Sequence, residues 1–167
     1  MPYDPARHHR RSIRLPDYDY TQPGAYFVTI CTKDRAPILG DLALPSVVLS
    51  PIGQVVERCW LALPRHFARV ILDSLVIMPD HLHGIIMFGN SPASHLSAPT
   101  NGTQPGSLAA VIQNFKSVST RRVNQIQYTS GTALWQRNYY ERIIRTDAEL
   151  SNVQRYIADN PARALAG

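Results

Sequence analysis

The run Leu75-Val-Ile-Met-Pro-Asp-His-Leu-His-Gly-Ile-Ile-Met-Phe88 leaves this chain few ways to fold. Two apolar, β-branched segments meet at Pro79-Asp80, so the stretch reads as a hairpin with strands over Val70 to Met78 and His81 to Phe88. Side chains on a strand alternate between faces, which points His81 and His83 the same way, about 7 Å apart at a rise of ~3.3 Å per residue. Leu82 points the other way, towards a core. Two imidazoles side by side at the end of a hairpin pack poorly and ligate metals well. The same pair also fits a solvated strand face. Only a third ligand and a reacting group elsewhere in the chain distinguish the two.

The elements around the hairpin follow from local signals. Ala25 to Thr32 is dense in aromatic and β-branched residues and predicts a strand. Lys33 to Leu49, with scattered prolines, predicts a loop. Ser50-Pro51 caps a helix to about Leu63, with Ile52, Val55, Val56, Cys59, Trp60 and Leu63 at helical spacing. Residues 89–106 are rich in Ser, Pro, Asn and Gly and lack periodicity, as expected of a flexible functional loop or a tolerated insertion. Ser107 caps a long helix to about Gln127, with Leu108, Val111, Ile112, Phe115 and Val118 on one face. Leu134 to Ile144 reads as a loop and then a short strand. Thr146-Asp-Ala-Glu149 is a capping box for a last helix, in which Leu150, Val153 and Ile157 pack inward and Asn160-Pro161 marks an end or a bend. The order strand, helix, strand, strand, helix, strand, helix predicts an α+β fold: a ferredoxin-like β-α-β-β-α-β core with an antiparallel sheet, both helices on one face, and one extra carboxy-terminal helix.

At 167 residues the chain is long enough for one domain with a real core, expected over 23–167 after a polar arm at 1–22. No stretch of about 18 apolar residues exists to span a membrane. The first fifteen residues lack the apolar core of a secretory signal, and Cys31 and Cys59 read as small buried hydrophobes, so a reducing cytoplasm is expected. Seventeen Lys plus Arg against twelve Asp plus Glu leave a net charge of +5, and fifteen of the cations are Arg, the residue suited to bidentate phosphate contact. That balance suggests a polyanionic partner, nucleic acid first. Arg10, Arg11 and Arg14 crowd the arm as phosphate-contact candidates or as part of a solvated tail. Lys116, Arg121 and Arg122 are further candidates, although they fan out around their helix and make no single stripe.

On the last helix Tyr156 and Asn160 are four residues apart and share a face beside the core stripe. A phenol next to an amide oxygen can serve as nucleophile and ligand, or as a shielding ring and a helix-end cap. Spacing alone does not choose. A phenol at neutral pH is almost wholly protonated and weakly nucleophilic, so a divalent ion on the attacked phosphate would help.

The chain from Ser12 to Ala164 resembles the HUH single-tyrosine transposases, and within them the REP-associated branch. The segments that carry the resemblance are Arg14-Leu-Pro-Asp-Tyr-Asp-Tyr20, Gly24-Ala-Tyr-Phe-Val-Thr-Ile-Cys-Thr32, Met78-Pro-Asp-His-Leu-His83, Phe115-Lys-Ser117, Leu134-Trp-Gln-Arg137 and Tyr156-Ile-Ala-Asp-Asn-Pro161. The resemblance implies that His81 and His83 ligate a Mg²⁺ or Mn²⁺ ion, that Asn160 completes the metal site, and that Tyr156 is the nucleophile. Insertion-sequence relatives carry Gln at the position of Asn160, one methylene longer. The implied substrate is a single-stranded REP-like DNA hairpin with a flanking guide sequence, cleaved through a 5′-phosphotyrosine link. The implied assembly is a monomer or a homodimer, in a bacterial cytoplasm at the nucleoid.

Several neighbours have open roles. Tyr139 and Tyr140 are rival nucleophiles, packing residues, or platforms for an unpaired base, and Arg137 is a DNA-contact candidate beside them. Trp135 stacks on a base or belongs to the core. Asp80 orients an imidazole or forms the turn. His66 and His95 have no evident partner. Two other functions compete with strand transfer: a domesticated protein that binds such hairpins without cutting, and a metallophosphoesterase that uses water in place of tyrosine.

Overall fold

The computed structural model describes residues 17–90 and 103–166. Arg10, Arg11 and Arg14 of the expected arm, and 91–102 of the expected loop with His95, lie outside the described residues. The strands are β1 (Gly24–Cys31), β2 (Gly40–Ala43), β3 (Ser46–Leu49), β4 (Val70–Met78), β5 (His81–Phe88) and β6 (Tyr140–Ile144). The helices are α1 (Pro51–Leu61), α2 (Leu63–His66), α3 (Leu108–Ile126) and α4 (Asp147–Ala166), with a 3₁₀ turn at Lys33–Arg35. The main sheet runs β4-β5-β1-β6, and its neighbours are antiparallel throughout. This is the expected ferredoxin-like core with a carboxy-terminal helix added.

Strand alternation divides the sheet into two unequal faces. Tyr26, Val28 and Ile30 of β1 and Leu82, Ile86 and Phe88 of β5 join α1 and α3 in the larger core. There Trp60 and Phe115 pack edge to face at 5.3 Å. Phe27 of β1 and Ile85 of β5 face the other way and meet Ile144 of β6 with Val153 and Ile157 of α4 in a smaller cluster. Gly84 lies on the larger side, where Trp60 of α1 closes directly onto the strand. A β-bulge between Leu72 and Leu75 keeps both leucines on the larger core and leaves Asp73 free to turn towards α4.

Two expectations need correction. Lys33 to Leu49 is not a plain loop, because β2 and β3 pair within it (Leu42 opposite Val47). Strands of four residues between prolines are too short to show a period of two. The segment is also tied down: buried Leu39 donates its N–H to Pro79 O at 2.9 Å, and Ser50 Oγ donates to Ile38 O at 2.6 Å. The second correction is to the end expected at Asn160-Pro161: α4 continues to Ala166, with Pro161 buried. Proline's own φ is helical, so the ring costs one hydrogen bond and a local clash without forbidding the helix.

The caps form largely as the sequence implies. Ser50 Oγ accepts from Gly53 N, and Ser107 Oγ accepts from Ala110 N. At α4, Thr146 Oγ1 accepts from Glu149 N, while the Glu149 carboxylate reaches one residue further back than a capping box requires, to Arg145 N. Residues 17–22, expected to be part of the arm, pack on the body: the rings of Tyr18 and Tyr20 lie 6.5 and 5.9 Å from that of Tyr26. Among the described residues no helix is long and apolar enough to cross a membrane.

Candidate active site

His81 and His83 open β5 and share the face that α4 covers, because Leu82 and Gly84 between and beyond them face the larger core. Their ring centroids are 4.7 Å apart, with the planes at 73°. His83 is buried and stacks on Phe27 at 5.3 Å and 26°. Val153 and Ile157 seat α4 on Phe27 and Ile85, which brings Tyr156 edge-on to His83 at 5.4 Å and to Phe27 at 6.0 Å. Tyr156 stays 39% exposed, so its phenol is open to a ligand from solvent. Asn160 follows one helical turn later and is buried, at 8% exposure. The structure therefore brings His81, His83 and Tyr156 into ring contact, with Asn160 on the adjacent turn of the helix that bears the phenol.

Each imidazole has a fixed partner on Nδ1. Asp80 Oδ1 lies 2.6 Å from His81 Nδ1, and Asp80 Oδ2 accepts from Arg35 Nε at 3.0 Å. Thr29 Oγ1 lies 2.7 Å from His83 Nδ1, the two residues being directly opposite in the β1–β5 register. A carboxylate only accepts, so the bond to Asp80 puts a proton on His81 Nδ1 and leaves Nε2 as the nitrogen a ligand would take. Among the described residues no three His, Cys, Asp or Glu side chains cluster to hold a metal ion. The donor set on offer is two imidazole Nε2 atoms and the Asn160 amide oxygen. Those neutral donors fit a divalent ion that keeps its remaining positions for water or phosphate oxygens.

Burial, with His81 and Arg35 nearby, holds the His83 imidazole down at about 4, so it is neutral at physiological pH. In the metal-free protein this has a stability signature. Between about pH 6.5 and 4 the unfolded chain binds a proton that the folded chain refuses, so stability falls as pH drops through that window. The expected loss approaches about 3 kcal/mol by pH 4. Urea midpoints measured from pH 7.5 to 4 should show it in the wild type, and the slope should flatten in His83→Gln.

The pose of α4 is held by more than apolar packing. Gln154 Nε2 donates to both oxygens of Asp73 in the β4 bulge, at 3.0 and 3.2 Å. Burial pushes the Asp73 carboxyl up, but the hydrogen bonds from Gln154 and Ser74 outweigh it and the net shift is down. Arg163, two turns beyond Tyr156, sets its guanidinium 5.7 Å from the phenol ring centroid.

The other candidates fall in distinct places. Lys116 Nζ donates to the carbonyls of Gln136, Arg137 and Asn138 and lies 5.7 Å from the Tyr139 ring centroid. Burial draws its ammonium down to about 8, with Cys31 acting weakly the other way. Lys116, Arg121 and Arg137 line a groove of about 630 Å³ between α3 and residues 129–137 that contains no acidic side chain. Arg122 turns instead towards Cys59 Sγ, at 3.9 Å. Tyr140 stands edge-on to Phe27 at 6.4 Å, at the rim of the histidine pair. Trp135 is core: it is buried, and its indole N–H donates to Ser119 Oγ at 2.9 Å. His66 is exposed at the end of α2, away from these contacts.

Sequence reasoning missed Phe27, Thr29, Arg35 and Arg163. The alternation of Ala25 to Thr32 already put Phe27 and Thr29 on one face. What it lacked was the register that sets them against His83.

No protein-family model matches the chain. It is 36% identical over 169 residues to an uncharacterized protein of Haemophilus influenzae, covering 95% of this chain and 92% of that one. Its fold matches the solved structure of a REP-associated tyrosine transposase bound to a REP hairpin, with a TM-score of 0.63 and 16% identity, over 90% of this chain and 74% of that one.

Proposed function

We propose, from the premise that this chain belongs to one family with the Haemophilus influenzae protein and has the fold of the REP-associated tyrosine transposase, that it nicks and rejoins single-stranded DNA. The observation that carries this reading is the ring contact of part-exposed Tyr156 with buried His83, itself paired with His81. A REP-type hairpin with an unpaired flank is the substrate that the fold neighbour's own complex suggests.

Tyr156 is the nucleophile. Its phenolic oxygen forms a bond to the scissile phosphorus while the bond from phosphorus to the 3′ oxygen breaks. The phenol gives up its proton and the departing strand gains one, ending in a 3′-hydroxyl. The 5′ phosphate stays on the tyrosine as a diester, so the exchange conserves bond energy and needs no nucleotide cofactor. A Mg²⁺ or Mn²⁺ ion held by His81, His83 and Asn160 would draw charge from the phosphate and orient it. Phe27, stacked under His83 and against Tyr156, keeps imidazole and phenol at a set separation. The burial that keeps His83 uncharged also leaves it competent as a ligand. Lys116, Arg121 and Arg137 give the acid-free groove a charge that suits the phosphates of the strand.

The test is incubation of the full chain with end-labelled hairpin DNA and Mn²⁺, followed by a denaturing gel. A covalent protein–DNA band that disappears with excess EDTA and returns with Mn²⁺ is expected. Retarded DNA on a native gel with no product on the denaturing gel would replace this reading with hairpin binding alone. Cleaved DNA with no covalent band would assign the attack to water.

A further inference from the structure

We infer that Thr29 and Arg35 are positioning residues that hold the two imidazoles with Nε2 facing forward, Thr29 by bonding His83 Nδ1 and Arg35 by bracing Asp80 against His81 Nδ1. The inference rests on the reading of His81 and His83 as metal ligands and goes beyond it to what aims them. An imidazole on a strand is free to turn about two side-chain torsions and to carry its proton on either nitrogen. A carboxylate on Nδ1 removes both freedoms at once, whereas a hydroxyl, which can donate or accept, fixes the turn of the ring.

For His83 the partner comes from the neighbouring strand. Thr29 faces it across the β1–β5 ladder, with Oγ1 at 2.7 Å. A strand pair of this kind sets the position of the hydroxyl through the backbone, so nothing in the larger core has to move to keep it there. The ring is held from its face as well, by the stack on Phe27.

For His81 the brace has two members. Asp80 meets Nδ1 with one oxygen and Arg35 Nε with the other. The Arg35 guanidinium is itself steered, because its NH1 reaches Cys31 Sγ at 2.9 Å, and Cys31 is the residue opposite His81 in the sheet. The main chain around Asp80 is pinned too: Asp80 O accepts from both Thr32 N and Thr32 Oγ1.

The backbone that delivers Arg35 is strained. Asp34 and Arg35 both adopt left-handed φ, at 55° and 56°, where a side chain crowds the main chain. Two successive non-glycine residues in that region are uncommon, and such strain gathers where a side chain has to be delivered to one spot. Glycine at these positions would relieve the strain, yet at 35 it would also remove the guanidinium. The turn thus separates stability from aiming.

That separation makes the test. Binding of Mn²⁺ to the metal-free full chain is followed by loss of the aqueous Mn²⁺ signal in electron paramagnetic resonance, alongside thermal melts. Thr29→Val keeps the β-branched shape and removes the bond to His83, and is expected to weaken Mn²⁺ binding about tenfold, while Thr29→Ser restores it. Arg35→Gly is expected to weaken binding by a similar factor with Tm changed by no more than about 2 °C. Asp34→Gly is expected to raise Tm by about 1–3 °C and leave Mn²⁺ binding as in the wild type. Simple charge makes the opposite forecast for Arg35, since loss of a nearby cation favours a bound cation. Unchanged or tighter Mn²⁺ binding in Arg35→Gly would overturn its part in the brace, and unchanged binding in Thr29→Val would overturn the other. His83→Ala is the control on the ligand reading itself. If it binds Mn²⁺ like the wild type, the ligand assignment fails. If it alone loses the ion, the ligands stand and the brace falls.

Discussion

Tyr156→Phe is expected to remove the covalent protein–DNA product altogether, a drop of at least about 10³-fold in strand transfer. The substitution deletes one oxygen and leaves the ring, and the ring is what touches the protein: His83, Phe27 and Arg163 all lie against it. The phenol is part-exposed, and among the described residues no hydrogen bond to its hydroxyl holds the fold together. Stability should therefore change by less than about 0.5 kcal/mol, and hairpin binding on a native gel should persist. A variant that folds, binds and cannot form the adduct isolates the nucleophile from every structural role of the side chain. If the adduct instead forms at the wild-type rate, Tyr140 becomes the next residue to replace, being the other phenol at the rim of the site.

Gly84→Ala should cost about 3 kcal/mol and lower Tm by roughly 6–12 °C. A Cβ built on Gly84 would run into the Trp60 ring, 2.9 Å from Cη2 and closer still to Cζ2. Trp60 has no room to retreat, since it is fully buried and packed edge to face on Phe115. The clash lies on the far side of the sheet from the histidines. Protein that remains folded at low temperature should therefore still bind Mn²⁺, and a calorimetric melt with an EPR titration of the same sample checks both halves of the expectation.

The hairpin, the long helices and the caps of α1 and α3 were legible because each rests on local chemistry: alternating apolar residues, a proline after a serine, a hydroxyl three residues before a free N–H. The pairing of Tyr156 with Asn160 on one helical face was legible for the same reason. What locality could not supply was registry between distant segments. Thr29 meets His83, and Arg35 meets Asp80, only because β1 pairs with β5 and a strained turn follows β1. The β2–β3 pairing escaped notice because four-residue strands offer too few positions to display a period. At Pro161 a sound local rule gave way to context, as α4 ran on through the ring. The metal-ligand roles proposed for His81, His83 and Asn160 came from resemblance, and the structure adds a hydrogen-bond partner on Nδ1 of each imidazole.

The two-sided sheet has a consequence for how this chain can change over time. One slipped residue in β5 would exchange His81 and His83 for Leu82 and Gly84, burying imidazoles under Trp60 and turning leucine out towards solvent. Intermediate registers do not exist, so the strand is locked by both of its surfaces together. Substitutions are thereby sorted by parity. Changes at 81 and 83 fall on the cleft side and spare the contact with Trp60, changes at 82, 84, 86 and 88 fall on the larger core, and Ile85, on the cleft side, belongs to the seat of α4. His81 or His83 can thus be exchanged without disturbing the larger core beneath the strand.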